Sequence, residues 1–200
     1  MIKAVIFDLG NVIVSFDHRK ISDRLAASCG HASEVVFQKA VASELVGRYN
    51  LGELTTAEFC EAVGRELGLE IGYEDFYAAW NCTFLLEPLV PERLVARLAE
   101  KHRLLILSDT NEMHFEYIRE NFALLRHFDD FVVSHRAGAV KPSPEIFGRA
   151  VEAAGCRPEE CLFIDDLAAN VEGARRCGLD AVQFVSAAEL EKELAGRGLL

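Results

Sequence analysis

Polar residues that could carry out phosphoryl chemistry follow four of the apolar runs in the chain. They are Asp8 in VIFDLGNV, Ser108 and Asp109 in LILSDTNE, Lys141 in AVKPSPEIF, and Asp165 and Asp166 in LFIDDLAAN. Clustered carboxylates repel one another unless a cation is present, and an all-oxygen set suits a hard ion such as Mg²⁺. With that metal, one carboxylate can attack phosphorus while the serine, backbone N–H groups and the lysine hold the phosphoryl oxygens.

Most of these residues also have an ordinary structural interpretation. A single aspartate such as Asp8 at the end of a strand commonly serves a turn or a helix cap. Asp109 has a glutamate three residues later, and this capping-box spacing favours a helix-capping role for it. Lys141 directly precedes a Ser-Pro helix start and could simply be exposed. The adjacent pair Asp165 and Asp166 is harder to explain without a cation, so a metal role is preferred there.

The elements that must position these residues can be read from hydrophobic patterning. Five short aliphatic runs have the character of buried strands; they are Ala4 to Leu9, Leu104 to Leu107, Phe131 to Ser134, Cys161 to Ile164, and Ala181 to Val185. Segments of helical period lie between the later runs, so the pattern predicts an α/β fold with a Rossmann-like parallel sheet flanked by helices. Ligands bind such sheets at the carboxyl ends of the strands, which is where the polar residues fall.

The interval between the first two strands is different, because four helical patterns follow one another there and no convincing strand appears. Thr55, with Glu58 three residues later, is predicted to cap one of these helices. We therefore expect an inserted all-helical cap over residues 16–85 and a core formed by residues 1–15 and 86–200. The hinges are expected near residues 14–17 and 85–87.

Composition limits the possible partners. The chain has 200 residues and a formal charge of −11, which argues against binding to nucleic acid or to an anionic membrane. A phosphorylated small molecule would therefore need a local positive site. Six scattered cysteines show neither zinc spacing nor a disulfide framework, and no signal peptide or membrane span is evident. We expect a cytoplasmic protein, either a monomer or a small homo-oligomer.

The four motifs, in this order, resemble those of the haloacid dehalogenase superfamily over nearly the whole chain. The helical insertion resembles the cap of one of its subfamilies. FDLGNVIV, LSDTN and GRYNLGELTTAEF are most similar to α-D-glucose 1-phosphate phosphatases and, less closely, to the phosphatase domain of soluble epoxide hydrolases. The resemblance implies a Mg²⁺-dependent phosphatase that acts on a small phosphorylated metabolite.

The resemblance also implies a role for each motif residue. Asp8 would be the nucleophile and a metal ligand, with the Gly10 carbonyl, Asp166 and, directly or through water, Asp165 completing the metal site. Ser108 and the Asp109 N–H would hold the phosphoryl group, and Lys141 would neutralise charge on both the nucleophile and that group. Phosphatases of this family usually carry an aspartate two residues after the nucleophile as general acid and base, but this chain has Gly10 there.

Three other functions remain open from the sequence. A metal-independent 2-haloacid dehalogenase would share the nucleophile, but the pair Asp165 and Asp166 argues against it. A non-catalytic binding or regulatory protein is suggested by Gly10, and a phosphomutase would ordinarily need the acid that Gly10 replaces. Because an anomeric hydroxyl leaves with less protonation than an ordinary alcohol, the missing acid favours a sugar 1-phosphate as substrate.

Overall fold

A five-stranded, fully parallel sheet forms the centre of the molecule in the computed structural model, which describes all 200 residues. The strand order is β5-β4-β1-β6-β7, with bounds β1 Ala4–Phe7, β4 Arg103–Ser108, β5 Asp130–Val133, β6 Cys161–Asp165 and β7 Asp180–Gln183. All five predicted strands are therefore present. The chain leaves β1 towards β4 on one side and later returns to β6 on the other, so β1 is central and the motif-bearing strand ends are neighbours.

Helices cover both faces of this sheet. They are α6 Glu92–Ala99, α7 Glu112–Asn121, α8 Ser134–Ala137, α9 Pro144–Ala154, α10 Ala168–Arg176 and α11 Ala187–Gly196. Alternate residues of β1 enter different cores, since Val5 and Phe7 pack with α6, α7 and α11, whereas Ala4 and Ile6 pack with α9 and α10. The fully buried β1 is apolar on both faces for this reason. The predicted α/β fold is confirmed.

The inserted segment is helical and has a core of its own. It contains α1 Arg19–Cys29, α2 Ser33–Val36, a π-helical turn Phe37–Val41, α3 Glu44–Asn50, α4 Thr56–Leu67 and α5 Tyr73–Asn81. The predicted capping box of Thr55 and Glu58 begins α4. One buried residue of the sheet domain, Met113 at the start of α7, belongs to the same apolar cluster as the cap residues Phe59 and Trp80.

A short antiparallel ribbon joins the two ends of the insertion. β2 (Ser15–Phe16) pairs with β3 (Phe84–Leu85), and neither two-residue strand was expected from the sequence. The ribbon places the segments predicted to be hinges side by side, so both crossings between core and cap lie at one point. No helix in the structure combines the length and the apolarity that crossing a membrane would require.

Candidate active site

Asp8 lies immediately after β1, in a turn that fixes one of its oxygens. Oδ1 accepts the Leu9 N–H at 2.7 Å and lies 2.7 Å from the Lys141 Nζ. Oδ2 has no hydrogen-bond partner within the protein, so one oxygen is anchored and the other is available. Burial raises the pKa of Asp8 to about 7, although the Lys141 ammonium acts in the opposite direction.

Lys141 is buried, not exposed as its ordinary interpretation allowed. Its Nζ bridges the carboxylates of Asp8 at 2.7 Å and Asp165 at 2.8 Å. Burial alone would lower the pKa of Lys141, but the neighbouring carboxylates, chiefly Asp8 and Asp165, outweigh burial and raise it. The lysine is therefore a permanent positive charge beneath the site, in an otherwise acidic protein. Gly173 of α10 allows the close packing behind it, because a Cβ at Gly173 would lie 2.6 Å from the Cβ of Pro142.

Asp165 at the end of β6 is fully buried and its oxygens are already occupied. Oδ2 accepts from Lys141, and Oδ1 accepts the Leu167 N–H at 2.8 Å. The Asn170 side-chain N–H₂ group lies 3.1 Å from each of the two oxygens and donates to them. Asp165 does not line the cavity described below; it lies behind Lys141. This arrangement suits a residue that positions the lysine better than one that binds a metal directly.

Asp166 is the more accessible member of the acidic pair. Its Oδ2 accepts a long hydrogen bond of 3.4 Å from the Asn11 amide. Burial and then the neighbouring Asp165 raise the pKa of Asp166. Carboxylate oxygens of Asp8, Asp165 and Asp166 all lie within 4.8 Å of one another. Asp8 and Asp166, whose pKa values are raised, offer hard oxygen donors at this point with Asp165 beside them, so the residues present can hold a metal ion.

Ser108 is the last residue of β4 and Asp109 follows it, beside Asp8. Ser108 is buried, and its hydroxyl makes no hydrogen bond within the protein. The preferred helix-capping role for Asp109 was wrong. The N-cap of α7 is Asn111, whose side chain accepts the His114 N–H, whereas Asp109 Oδ1 accepts the Lys141 backbone N–H at 3.0 Å. The aspartate thus ties the lysine loop to the end of β4.

A cavity of about 250 Å³ opens over these residues. The predicted site residues that line it are Asp8, Gly10, Ser108, Asp109, Lys141 and Asp166. The opposite wall comes largely from the inserted helices and the ribbon, and it includes Phe16, His18, Ile21, Val41, Trp80 and Phe84. The structure therefore brings the sequence-predicted residues together at one sheet edge, although their individual roles stay predictions.

Gly10 is packed against an aromatic side chain. A Cβ at Gly10 would lie 2.8 Å from Phe16 Cε1, so the ring fills the space that a larger residue at position 10 would need. Phe16 belongs to β2 and is held there by its pairing with Phe84. No local pattern in the sequence connects Gly10 with Phe16 in this way.

Sequence reasoning also missed several polar residues of the site. Asn11 adopts a left-handed backbone conformation with φ of 55°, which asparagine tolerates better than most residues, and it contacts Asp166. Asn170 holds Asp165. Asn50 of α3 accepts a hydrogen bond from Asn111 at 3.1 Å. Asparagines beside an acidic motif were the available signal, but spacing alone does not distinguish such contacts from turn or cap roles.

A hydrogen bond from the Met113 N–H to the Tyr49 hydroxyl also links the cap to the start of α7. The Tyr49 hydroxyl accepts the Met113 N–H at 3.1 Å and also bonds Thr56 at 2.8 Å. A first-turn amide of a helix has no intrahelical acceptor, so a residue of the inserted segment satisfies a backbone group of the core.

Comparison with known proteins shows the family to which this chain belongs. A family model of haloacid dehalogenase-like hydrolases matches residues 2–178, and the chain belongs to that family. The chain is 26% identical, over 97% of both sequences, to D-ribitol-5-phosphate phosphatase of Bacteroides thetaiotaomicron. It is also 26% identical to human N-acylneuraminate-9-phosphatase, over 92% of this chain and 83% of that protein. The predicted enzyme class, a phosphatase of this family, is confirmed.

A solved structure agrees in fold. It is a HAD family enzyme of Bacteroides thetaiotaomicron in complex with magnesium and inorganic phosphate. The two share 26% sequence identity and a TM-score of 0.81, with 93% of this chain and 96% of the other covered. The predicted Rossmann-like core with an inserted cap is thus the architecture of the family to which the chain belongs.

Proposed function

We propose that this chain is a Mg²⁺-dependent phosphatase that hydrolyses a small phosphorylated metabolite through an aspartyl-phosphate on Asp8. One observation carries the proposal. Asp8 has one oxygen fixed by the Leu9 N–H and Lys141 and the other without a partner, beside Asp166 and in the floor of the cavity. A carboxylate held in this way presents a defined oxygen to a phosphorus atom instead of rotating.

The proposed roles of the neighbouring residues follow from their contacts. Asp8, the Gly10 carbonyl and Asp166 would hold Mg²⁺, with Asp165 supporting them through Lys141. A bound divalent cation would neutralise charge on the phosphoryl oxygens and keep the carboxylate ionised. The free hydroxyl of Ser108 and the Asp109 N–H would donate to the phosphoryl group. Lys141 would lower the charge on both reacting partners, and Asp8 Oδ2 would form the bond to phosphorus.

The size of the cavity supports a small substrate, since about 250 Å³ lies just below the usual range of about 300 to 1,000 Å³ for ligand pockets. We propose a sugar phosphate and, because no acid stands at Gly10, a sugar 1-phosphate in particular. A panel of phosphorylated metabolites that tests this choice should contain sugar 1-phosphates. It should also contain ribitol 5-phosphate and N-acylneuraminate 9-phosphate, because the two relatives described above are named for these compounds.

We further propose that residues 16–85 act as the substrate-selecting cap over a core of residues 1–15 and 86–200. Side chains of that segment form the wall opposite the nucleophile. Substitution of Val41, which lines this wall, should change the ranking of metabolites and have little effect on an aryl phosphate. An unchanged ranking in Val41→Phe would argue that the core alone selects the substrate.

The test is phosphate release from the panel, with Mg²⁺ and with EDTA, by the wild type, Asp8→Asn and Asp75→Asn. Asp75 is an exposed residue of α5, and its substitution makes the same chemical change outside the site. We expect release only with Mg²⁺ and only from the wild type and Asp75→Asn. An acid-quenched wild type should carry one phosphoryl group that hydroxylamine removes. Full activity in EDTA, or in Asp8→Asn, would refute the proposal.

A further inference from the structure

Cleavage of a phosphate ester leaves negative charge on the oxygen of the departing alcohol. An alkoxide is a strong base, and a positioned acid that protonates it typically accelerates the reaction by about 10²- to 10⁴-fold. A proton donor for this oxygen must be a titratable residue of the cavity wall. The titratable residues that line the cavity are Asp8, Asp109, Asp166, Lys141, His18 and His114.

Most of these groups are already committed. Asp8 is the proposed nucleophile, Asp166 belongs to the carboxylate cluster, and the Lys141 ammonium is fixed between two carboxylates. Asp109 lies on the phosphoryl side, where its Oδ1 accepts the Lys141 N–H.

His114 is committed as well. Its Nδ1 contacts the Asn111 amide at 3.3 Å, and its Nε2 contacts the Trp80 carbonyl oxygen at 3.1 Å. Both ring nitrogens are therefore occupied by protein groups, and burial lowers the pKa of His114 to about 3. This histidine is a neutral structural link between α7 and the cap.

His18 differs from His114 in its hydrogen bonding. It follows β2, and its ring lies tilted against Phe16 with ring centroids 4.5 Å apart. Phe16 is the ring that packs against Gly10. The imidazole thus lies one ring away from the loop that follows the nucleophile, on the cap side of the same cavity. Its Nδ1 is buried and has no hydrogen-bond partner. No hydrogen bond within the protein fixes either nitrogen of the His18 ring, unlike those of His114.

We propose that His18 donates the proton to the leaving oxygen, an inference that rests on the phosphatase function proposed above. In the first step Asp8 Oδ2 bonds to phosphorus, the bond from phosphorus to the ester oxygen breaks, and the imidazolium proton passes to that oxygen. In the second step water bonds to phosphorus, the bond to Asp8 breaks, and the neutral imidazole accepts the proton of the water. Inorganic phosphate is released and the imidazolium is restored.

The electrostatics of His18 are compatible with this role. Burial lowers the pKa of His18, while the adjacent Asp17 acts in the opposite direction. The other titratable group that faces it is His114, whose ring stacks on the imidazole with the centroids 6.3 Å apart. Asp17 favours the protonated ring that the first step requires, while burial favours loss of that proton to the leaving oxygen.

The experiment compares His18→Gln with a matched control, His31→Gln, which changes an exposed histidine of the cap. Alkyl and aryl phosphates of graded leaving-group pKa serve as substrates for both. For alkyl phosphates, kcat/KM should fall by about 10²- to 10⁴-fold in His18→Gln and stay at the wild-type level in His31→Gln. For aryl phosphates, kcat/KM should fall far less, because that leaving group needs little protonation.

Two further readouts separate a donor from a merely structural residue. Loss of the base for the second step should lower kcat for aryl phosphates, so His18→Gln should show a burst of aryl alcohol and accumulate phosphorylated protein. Added imidazole should partly restore alkyl phosphate turnover in His18→Ala. An equal loss on alkyl and aryl substrates, or no loss, would overturn the assignment, as would a selective loss of alkyl turnover in Asp109→Asn and not in His18→Gln.

Failure of this inference is distinct from failure of the proposed function. If the wild type releases no phosphate from any ester, or if Asp8→Asn remains active, the phosphatase function itself is refuted. If those two results are as expected and His18→Gln does not steepen the dependence on leaving-group pKa, only the role of His18 is refuted.

Discussion

Replacing Asp8 by asparagine should stabilise the metal-free protein above neutral pH. In the folded chain burial raises the pKa of Asp8 from 3.8 to about 7, so folding favours the protonated carboxyl. Between those values the folded protein keeps a proton that the unfolded chain has lost. Stability therefore falls as pH rises through this window, and the full cost is present above pH 7.

The size of the stabilisation follows from the difference between the pKa of Asp8 in the folded chain and in the unfolded chain. At about 1.4 kcal/mol per pH unit, the ionised carboxylate costs up to about 4 kcal/mol, a figure that already includes the compensating attraction of Lys141. Asparagine has nearly the same shape and no charge. Asp8→Asn should therefore raise the free energy of unfolding in EDTA at pH 8 by about 2 to 4 kcal/mol, and the difference should shrink towards zero near pH 4.

The assay is urea unfolding of the wild type, Asp8→Asn and the exposed-site control Asp75→Asn at several pH values in EDTA. The control should stay within about 0.5 kcal/mol of the wild type. Burial lowers the pKa of His114 to about 3, which destabilises the fold as pH falls below 6.5, but this contribution is common to all three proteins and cancels in their differences. Mg²⁺ should stabilise the wild type more than Asp8→Asn. A variant no more stable than the wild type at pH 8, or a difference independent of pH, would refute the reasoning.

Three other substitutions test the packing around the site. Lys141→Met leaves two buried carboxylates without their cation, and should lower the free energy of unfolding by about 3 kcal/mol or more at pH 8 in EDTA. The loss should be smaller at pH 5, because a carboxyl takes up a proton there. Urea titration at both pH values measures the two losses. Gly10→Asp must displace the Phe16 ring, because its Cβ would lie 2.8 Å from Phe16 Cε1, and should lower the free energy of unfolding by about 1 to 3 kcal/mol. The double variant with Phe16→Leu should lose less than the sum of the two single losses. Tyr49→Phe leaves the Met113 N–H without its acceptor, and should cost about 1 to 3 kcal/mol and speed hydrogen exchange at that amide.

The strand ends were predictable because the sheet is buried on both faces. Each strand is a short aliphatic run, and the first polar residue after it marks the edge of the sheet, as with Asp8 after Phe7 and Asp165 after Ile164. Parallel pairing then requires these residues to be neighbours. The carboxylate cluster could therefore be predicted from one property of the chain.

The contacts made across the cavity could not be predicted in this way. Phe16 meets Gly10 through a two-residue ribbon that is too short to give a periodic signal. His18 and Asn50 reach the site because of how the cap is seated, which depends on contacts between residues far apart in sequence. Asp109 was misassigned for a related reason, since capping-box spacing is local whereas its actual partner, the Lys141 N–H, comes from a distant loop.

The bond between Tyr49 and the Met113 amide has a consequence for how such enzymes diversify. If the inserted segment were a free-standing module, one relative's cap could be transplanted onto another's core by joining the two ribbon strands. In this chain the first turn of α7 depends on a cap hydroxyl, and Met113 is packed into the cap interior. A working chimera would have to inherit that turn together with the cap. The unit that is exchanged in recombination would therefore be discontinuous, with one piece on each side of β4.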